Sequence, residues 1–263
     1  MRPRRKSPRC GTNRRLGGPG GGYPFHNAGS PRLPPPVRRP AGSYPPDCTR
    51  RTAMTDTLDA ADLGPEATYR LLSGIVVPRP IAWISTLSET GVVNLAPFSC
   101  FTFVSNKPPL LGVNIGRKAG RRKDTGTHIL ARREFVVNIG HGGQLQQIHE
   151  SSAEHPPEVS EADLLGLATA PGEAVAVPRI ADAGVAMECR LSQVIPFGDT
   201  GAEFFVGEVL RFHVREGLLR DGKIDTLALD PVCRIGGPNY ATLGRVVTLR
   251  TMPQTAKTVT TAQ

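Results

Sequence analysis

Alternating apolar and polar residues in the second half of the chain predict long β-strands there. Over 185–195 most apolar side chains lie two residues apart, as in a strand with one buried face. Apolar and polar positions alternate as follows: Val185, Met187, Cys189, Leu191 and Ile195 against Glu188, Arg190 and Ser192. A similar pattern runs through Phe204, Val206, Leu210, Phe212 and Val214, with Glu208 as the exception on that face. Both segments are therefore predicted to be half-buried strands whose polar residues lie on the outer face.

Shorter apolar runs predict further strands over 81–87 and 134–139. Short helices are predicted at four places: 65–72 with Gly74 as its end, a helix with Asp124 or Thr125 as its N-cap, 142–150, and 161–167. Several strands at hairpin spacing with short helices between them favour an antiparallel barrel or sandwich over βαβ units. The predicted fold class is mostly β with short helices.

Residues 92–115 are the most informative stretch, with two β-rich runs flanking the polar loop Ser105–Lys107. Pro97 interrupts the first run within Asn94–Ser99. Because proline cannot donate to a sheet ladder, it marks an edge strand or a bulge. A break of that kind directs backbone N–H and C=O groups toward a ligand instead of a neighbouring strand.

The first 53 residues differ in composition from the rest of the chain. They contain 12 Lys and Arg residues against one acidic residue and are rich in Pro and Gly, without apolar periodicity. Such a segment is predicted to be disordered. We interpret Met54 as the true start, with a genuine disordered arm as the alternative. The expected organisation is a disordered extension over 1–53, one domain over 54–250 and a flexible tail over 251–263.

The charge and cysteine patterns narrow the function classes. Residues 54–263 contain 20 Lys and Arg against 22 Asp and Glu, a net charge of −2, so the pI of 9.8 reflects the N-terminal segment. No specific nucleic-acid binding is expected from such a body. Five widely spaced cysteines favour free thiols in a reducing, cytoplasmic compartment. No apolar run is long enough to span a membrane.

Two features carry candidate chemistry, because no common catalytic motif is present. One is the Asn94–Ser99 segment, for which a plain proline bulge at a barrel edge is the alternative. The other is Arg121–Thr125, where cations precede a helix start whose free N–H groups suit a phosphate. Its alternative is a solvated charge run with an ordinary N-cap. The His and Glu residues of 149–155 lack helical i, i+4 pairing, and no metal site is predicted there.

Taken together, these features lead to a family resemblance over residues 69–245. The chain resembles the flavin reductase-like FMN-binding split-barrel family, which includes flavoredoxins and NAD(P)H:FMN reductases. The residues that carry the resemblance are Tyr69–Leu72, Val77–Thr86, Asn94–Ser99, Lys123–Thr125, Glu134–Asn138, Glu188–Cys189 and Gly236–Ala241.

The resemblance implies an antiparallel split β-barrel of Greek-key type, homodimeric, with FMN near the subunit interface. By motif, the isoalloxazine ring would contact, largely through main chain, Asn94, Leu95, Ala96, Pro97 and Ser99. The phosphate or ribityl chain would be held by Ser85, Thr86, Lys123 and Thr125, with Arg79 assisting. Tyr240 would reach the flavin from the C-terminal region. No residue is expected to act as a catalytic acid or base, since flavin and nicotinamide carry the hydride chemistry themselves.

The implied activity is NAD(P)H-dependent reduction of FMN, with reduced flavin supplied to a partner monooxygenase. Two alternatives stay open. One is a protein that keeps FMN and passes electrons without catalysing its reduction. The other is a flavin oxidase related to the pyridoxamine phosphate oxidases.

Overall fold

The computed structural model describes residues 56–252. The predicted disordered extension over 1–53, the proposed start at Met54 and the predicted tail beyond residue 252 lie outside this range. Within 56–252, no helix is long and apolar enough to cross a membrane.

Short helices and many strands make up the described part of the chain. The helices are α1 (Pro65–Ile75), α2 (Asp124–Arg132), α3 (Leu145–Glu150), α4 (Glu161–Leu164) and α5 (Thr226–Leu229). The first seven strands are β1 (Arg79–Pro80), β2 (Ala82–Leu87), β3 (Val93–Phe98), β4 (Phe101–Asn106), β5 (Pro109–Ile115), β6 (Glu134–Ile139) and β7 (Thr169–Ala170). The others are β8 (Arg179–Ile180), β9 (Val185–Phe197), β10 (Ala202–Val214), β11 (Leu219–Arg220), β12 (Lys223–Ile224), β13 (Cys233–Arg234) and β14 (Tyr240–Ala241).

Seven of these strands form one antiparallel sheet in the order β3-β2-β6-β9-β10-β5-β4. Its two edge strands, β3 and β4, are consecutive in the chain and joined only by Ser99 and Cys100. The sheet must therefore curl until its edges meet at this link, although no ladder closes them. β6 then returns beside β2, which is a Greek-key connection. The predicted antiparallel split barrel is confirmed.

The interior of the curled sheet is apolar and includes a residue from α2. Fully buried members of this core are Ile84, Val113, Ile129, Phe135 and Phe205. A second buried cluster lies on the opposite face of β2 and β3 and is covered from α3 and α4: Trp83, Leu95, Ile148 and Ala162. The strands β2 and β3 are thus buried on both faces.

The ends of two predicted helices are set by different residues from those expected. Helix α1 continues through Gly74 to Ile75. The Arg79 Nη1 group donates to the carbonyl oxygens of Ser73 and Val76, both at 2.6 Å, and so satisfies acceptors left open at the helix end. The N-cap of α2 is Lys123, not Asp124 or Thr125, and it makes no side-chain capping bond. The glycine and N-cap predictions were therefore wrong.

Strand β10 also differs from its predicted pattern. The register against β9 shifts between Val206 and Gly207 and again between Val209 and Arg211. Phe205, which precedes both shifts, lies in the core together with Val209, so the core face of this part of β10 carries odd-numbered residues and not the predicted even-numbered apolar set. Phe212, predicted on the apolar face, is exposed.

Glu188 corrects the prediction of a polar outer face on β9, since it is fully buried. Its carboxylate accepts hydrogen bonds from the backbone N–H groups of Glu173, Ala174 and Val175, the shortest at 2.5 Å. His213 Nε2 lies 2.5 Å from the same carboxylate. Burial would raise the pKa of Glu188, but these hydrogen bonds outweigh it and hold the pKa below its usual value.

Residues 173–180, here called the strap, are held across the outer face of the sheet by side chains from β6 and β9. Besides the Glu188 bonds, Ala176 N–H donates to Glu134 and Ile180 N–H donates to Asn138, each at 2.9 Å. Under the strap lie the buried side chains of Val136, Val175, Val177 and Ala186. The strap has no ladder partner of its own over most of its length, so these side chains satisfy its backbone.

We expect Glu188→Gln to lower the free energy of unfolding by about 3 kcal/mol, because it breaks a buried, hydrogen-bonded charge and turns an amide donor toward backbone donors. The matched control is Glu208→Gln on the adjoining strand. Glu208 is only half-buried, and its change should stay within about 0.5 kcal/mol. Equilibrium urea unfolding measures both differences.

The difference in stability between wild type and Glu188→Gln should also depend on pH. The folded-state pKa of Glu188 lies below that of an unfolded glutamate, about 4.3. The contribution of Glu188 to the free energy of unfolding is therefore complete above about pH 4.3 and is lost as the pH falls through the folded-state pKa. The stability difference between wild type and Glu188→Gln should therefore shrink as the pH falls below about 4.3. A difference that stays constant with pH would contradict the assignment.

Candidate functional site

The outer edge of β3 presents backbone groups that no strand pairs. β3 is an edge strand, and its pairing with β2 is regular from Val93 to Phe98. The Leu95 N–H points away from β2 and donates to Glu161 Oε2 at 2.9 Å. Pro97 has the same parity as Leu95, so its missing N–H falls on the free edge and costs no ladder bond. Pro97 therefore marks an edge strand, and the alternative of a bulge is not observed.

Glu161 reaches this edge from α4. It is 7% exposed, and burial raises the pKa of its carboxyl group, whereas the bond from Leu95 N–H opposes the rise. No sequence motif pointed to Glu161, because it lies 66 residues from its partner in an irregular segment.

Three of the predicted site residues meet at the junction of β2, β3 and α2. Asn94 Nδ2 donates to Thr86 Oγ1 at 3.2 Å and to Thr125 Oγ1 at 3.0 Å. Thr86 Oγ1 also lies 3.1 Å from His128 Nδ1. Thr86 and Thr125 are 0% and 1% exposed, so this network is a buried link between the edge strand and the first turn of α2.

The N-terminus of α2 lies beside the same strand. Lys123 Nζ is 5.5 Å from the centre of the Phe98 ring. Desolvation lowers the pKa of the Lys123 ammonium group, and the nearby charge of Lys118 lowers it further. Because no side chain caps the helix, its first-turn N–H groups stay available to an anion.

Ser85 is separated from the other predicted phosphate residues. Adjacent residues of a strand point to opposite faces, so Ser85 and Thr86 cannot both turn toward one ligand. Ser85 Oγ donates to the Pro178 carbonyl at 2.6 Å and accepts from Asn138 Nδ2 at 3.2 Å. In this structure the Ser85 hydroxyl therefore holds the strap.

Arg79 and Ser99 lie together at the link between β3 and β4. Arg79 Nε donates to Ser99 Oγ at 3.3 Å, and Arg79 Nη2 donates to the Ile235 carbonyl at 2.8 Å. With its two bonds to the end of α1, the guanidinium is mostly occupied by protein acceptors. Arg79 thus joins α1, β13 and the barrel link.

Tyr240 lies on the other side of β3, partly buried against the cluster of Trp83 and Leu95. Its hydroxyl accepts a hydrogen bond from Arg234 and lies 3.0 Å from His149 Nδ1. The Arg234 guanidinium also stacks 4.5 Å from the centre of the Tyr240 ring. Burial raises the pKa of Tyr240, and Arg234 opposes that rise. Ala96 is half-buried against the barrel core.

A model described as the flavin reductase like domain matches residues 73–228. This chain belongs to the flavin reductase-like family. An uncharacterized protein of Halalkalibacterium halodurans is 41% identical over 197 residues, covering 73% of this chain and 94% of that protein.

Two solved structures share both sequence and fold with the chain. Nitrilotriacetate monooxygenase component B from Bacillus cereus is 37% identical with a TM-score of 0.72, covering 74% of this chain and 98% of that one. The 2-nitrobenzoate 2-nitroreductase of Pseudomonas fluorescens is 31% identical with a TM-score of 0.69, covering 75% and 96%.

Removing the Thr125 hydroxyl tests the link between β3 and α2. Thr125→Val keeps the shape of the side chain but leaves Asn94 Nδ2 short of an acceptor, so we expect the free energy of unfolding to fall by about 1–2 kcal/mol. Thr127→Val on the exposed side of the same helix is the control and should change it by less than about 0.5 kcal/mol. Thermal unfolding of the wild type and the two variants measures both changes. Equal losses of stability in the two variants would show that the hydrogen bond from Asn94 to Thr125 does not stabilise the fold.

Proposed function

We propose that this flavin reductase-like protein binds FMN and reduces it with NADH or NADPH. The observation that carries the proposal is the free edge of β3 lying against the uncapped start of α2, in a chain of this family. FMN combines a planar ring with a terminal phosphate, and the two parts of the site match those two chemistries.

The residues present fit FMN in the following way. The first-turn N–H groups of α2 and the Lys123 ammonium group would hold the phosphate, with the buried Thr125 hydroxyl fixing the start of the helix through its bond from Asn94. The carbonyl groups of Leu95 and Pro97 on the outer edge of β3 would lie along the ring, since the Leu95 N–H already donates to Glu161. Asn94 joins the two parts of the site, because its side-chain amide donates to both Thr86 and Thr125. Ser85 and Arg79 would contribute mainly by holding the strap and the barrel link.

When bound, FMN supplies the hydride acceptor. The chain contributes position and electrostatics: Lys123 and the first-turn N–H groups of α2 attract the phosphate, and the edge of β3 fixes the position of the ring. No side chain is placed as an acid or base in this scheme, and Tyr240 lies on the opposite side of β3 from the Asn94 network.

We infer that the reduced flavin serves a monooxygenase partner. The likeness to a monooxygenase component B, which this chain covers almost completely, supports this assignment. The free thiols among the described residues, Cys100, Cys189 and Cys233, fit the proposed cytoplasmic location.

We also propose a homodimer, on the basis of the surface of α1. None of its residues is buried, yet it presents the apolar side chains of Tyr69, Leu72 and Ile75, which are 69%, 56% and 72% exposed. Exposed apolar surface of this kind marks an interaction face. A second copy placed there would lie beside Arg79 and the barrel link.

Reduction of an organic substrate by retained flavin is a second candidate. The 31% identity to a nitroreductase favours it. So does a cavity of about 480 Å³ lined by α3, α4 and the segment between them, including His149, His155 and Leu164.

An anaerobic titration distinguishes these functions. With FMN in excess over protein and either NADH or NADPH as donor, we expect the absorbance band of the whole flavin pool to bleach, which requires many turnovers of each protein molecule. Bleaching of one equivalent only, with turnover restored by a nitroaromatic acceptor, would support the second candidate. Bound flavin that stays oxidised with both nucleotides would overturn the reductase proposal.

Lys123→Ala tests the phosphate position. Loss of an ammonium–phosphate contact should weaken FMN binding by about 1–3 kcal/mol, measured by fluorescence titration. Lys223→Ala, which removes an exposed lysine from β12, is the control and should bind FMN like the wild type. An unchanged affinity in Lys123→Ala would remove this residue from the site.

A further inference from the structure

A rigid turn precedes α2 and projects two cations. Lys118 N–H donates to the Arg121 carbonyl at 2.9 Å, and Arg121 N–H donates to the Lys118 carbonyl at 2.8 Å. Between them Ala119 and Gly120 have φ values of 45° and 74°, as a two-residue hairpin with both central residues left-handed requires. Residues 117–122 are here called the basic hairpin.

The base of the basic hairpin is anchored to the start of β10. Arg122 donates through Nε and Nη2 to the two carboxylate oxygens of Glu203, both at 2.8 Å. Arg117 lies 3.6 Å from the same carboxylate and donates to the Gly201 carbonyl at 3.2 Å. These two arginines therefore hold the hairpin in place, and their charges are partly neutralised.

The tip of the basic hairpin keeps a surplus of positive charge. Lys118 pairs with the exposed carboxylate of Glu154. Arg121 is exposed and makes no side-chain hydrogen bond or ion pair within residues 56–252. The nearby Lys123 and Asp124 carry one charge of each sign. The ammonium groups of Lys118 and Lys123 are close enough for one to lower the pKa of the other, so this surface favours an anion.

We propose that Arg121 and Lys118 bind the 2′-phosphate of NADPH and so make it the preferred hydride donor. The inference rests on the proposed function and deepens it. A phosphate monoester carries nearly two charges and three acceptor oxygens, which suit a guanidinium fork with an ammonium group beside it. NADPH carries this phosphate and NADH does not. The phosphate lies far from the nicotinamide ring, which agrees with a hairpin tip outside the proposed flavin site.

The flavin phosphate is a less suitable occupant of the tip. Lys123 and the first turn of α2 lie against Phe98 on the edge strand, where the flavin is proposed to bind. The tip faces Glu154 instead. The FMN phosphate at the start of α2 would thus pair with Lys123, and the 2′-phosphate of NADPH at the hairpin tip would pair with Lys118 and Arg121.

Binding of adenosine 2′,5′-bisphosphate and of 5′-AMP, measured by calorimetry at low salt, tests this without any turnover. The wild type should bind the bisphosphate about tenfold more tightly than AMP, and Arg121→Ala should remove most of that difference. Arg190→Ala, which removes an exposed arginine of β9, is the control and should keep the tenfold difference in affinity. Glu154→Gln should strengthen binding of the bisphosphate, because it frees Lys118.

Kinetics provide the second readout. Arg121→Ala should raise KM for NADPH about tenfold while leaving kcat and the KM for NADH unchanged. Equal rises for both nucleotides would place the contact on the diphosphate and overturn the proposal, as would equal wild-type affinity for the bisphosphate and AMP. If neither nucleotide reduces FMN but the bisphosphate still binds through Arg121, the reductase proposal fails and the phosphate site stands.

Discussion

The link between the two edge strands is the constraint on which the rest of the fold depends. β3 and β4 stand at opposite ends of the strand order, yet Ser99 and Cys100 alone connect them. Two residues span only about 7 Å, so the edges of the sheet have to meet at this point. Cys100 continues the pairing of β4 by accepting from Asn114 N–H at 2.8 Å. Beyond that point no strand covers β3, and its backbone groups are left for helices and ligands.

Several motif residues hold this architecture together. Arg79 binds carbonyl groups of α1 and of Ile235 and holds Ser99 at the link. Ser85, Asn138 and Glu188 bind the strap. Backbone groups that lack a ladder partner need polar side chains in fixed places, which is a sufficient physical reason for such residues. A motif can thus be specific for a family while most of its polar members stabilise the fold.

The sequence was most informative where one local pattern determines the outcome. Strand β6 was predicted with its observed bounds, 134–139, because its short run of β-branched and aromatic residues favours a strand. Alternation failed at Glu188, since the strap that buries it comes from an irregular segment without periodicity. It failed again along β10, where the core residues are Phe205 and Val209 and the predicted apolar residue Phe212 is exposed. The family motif suggested a common ligand for Ser85 and Thr86, but the pleat of β2 separates their side chains. Glu161 and His128 had no local signal, because their partners lie far away in the chain.

The open construction of the site limits how tightly one protomer can hold a flavin. Retention with a dissociation constant of about 1 nM needs about 12 kcal/mol, whereas each exposed charged contact contributes only about 1 kcal/mol. Lys123 and the start of α2 are accessible, and the β3 edge offers main-chain groups without an enclosing wall. Such a site would readily release the reduced flavin that we propose it binds. Tight retention would need a second surface over the ring, and the exposed apolar face of α1 near Arg79 is where a second copy would supply one. The choice between a reductase that releases flavin and a carrier that keeps it therefore depends on the assembly more than on the strand edge.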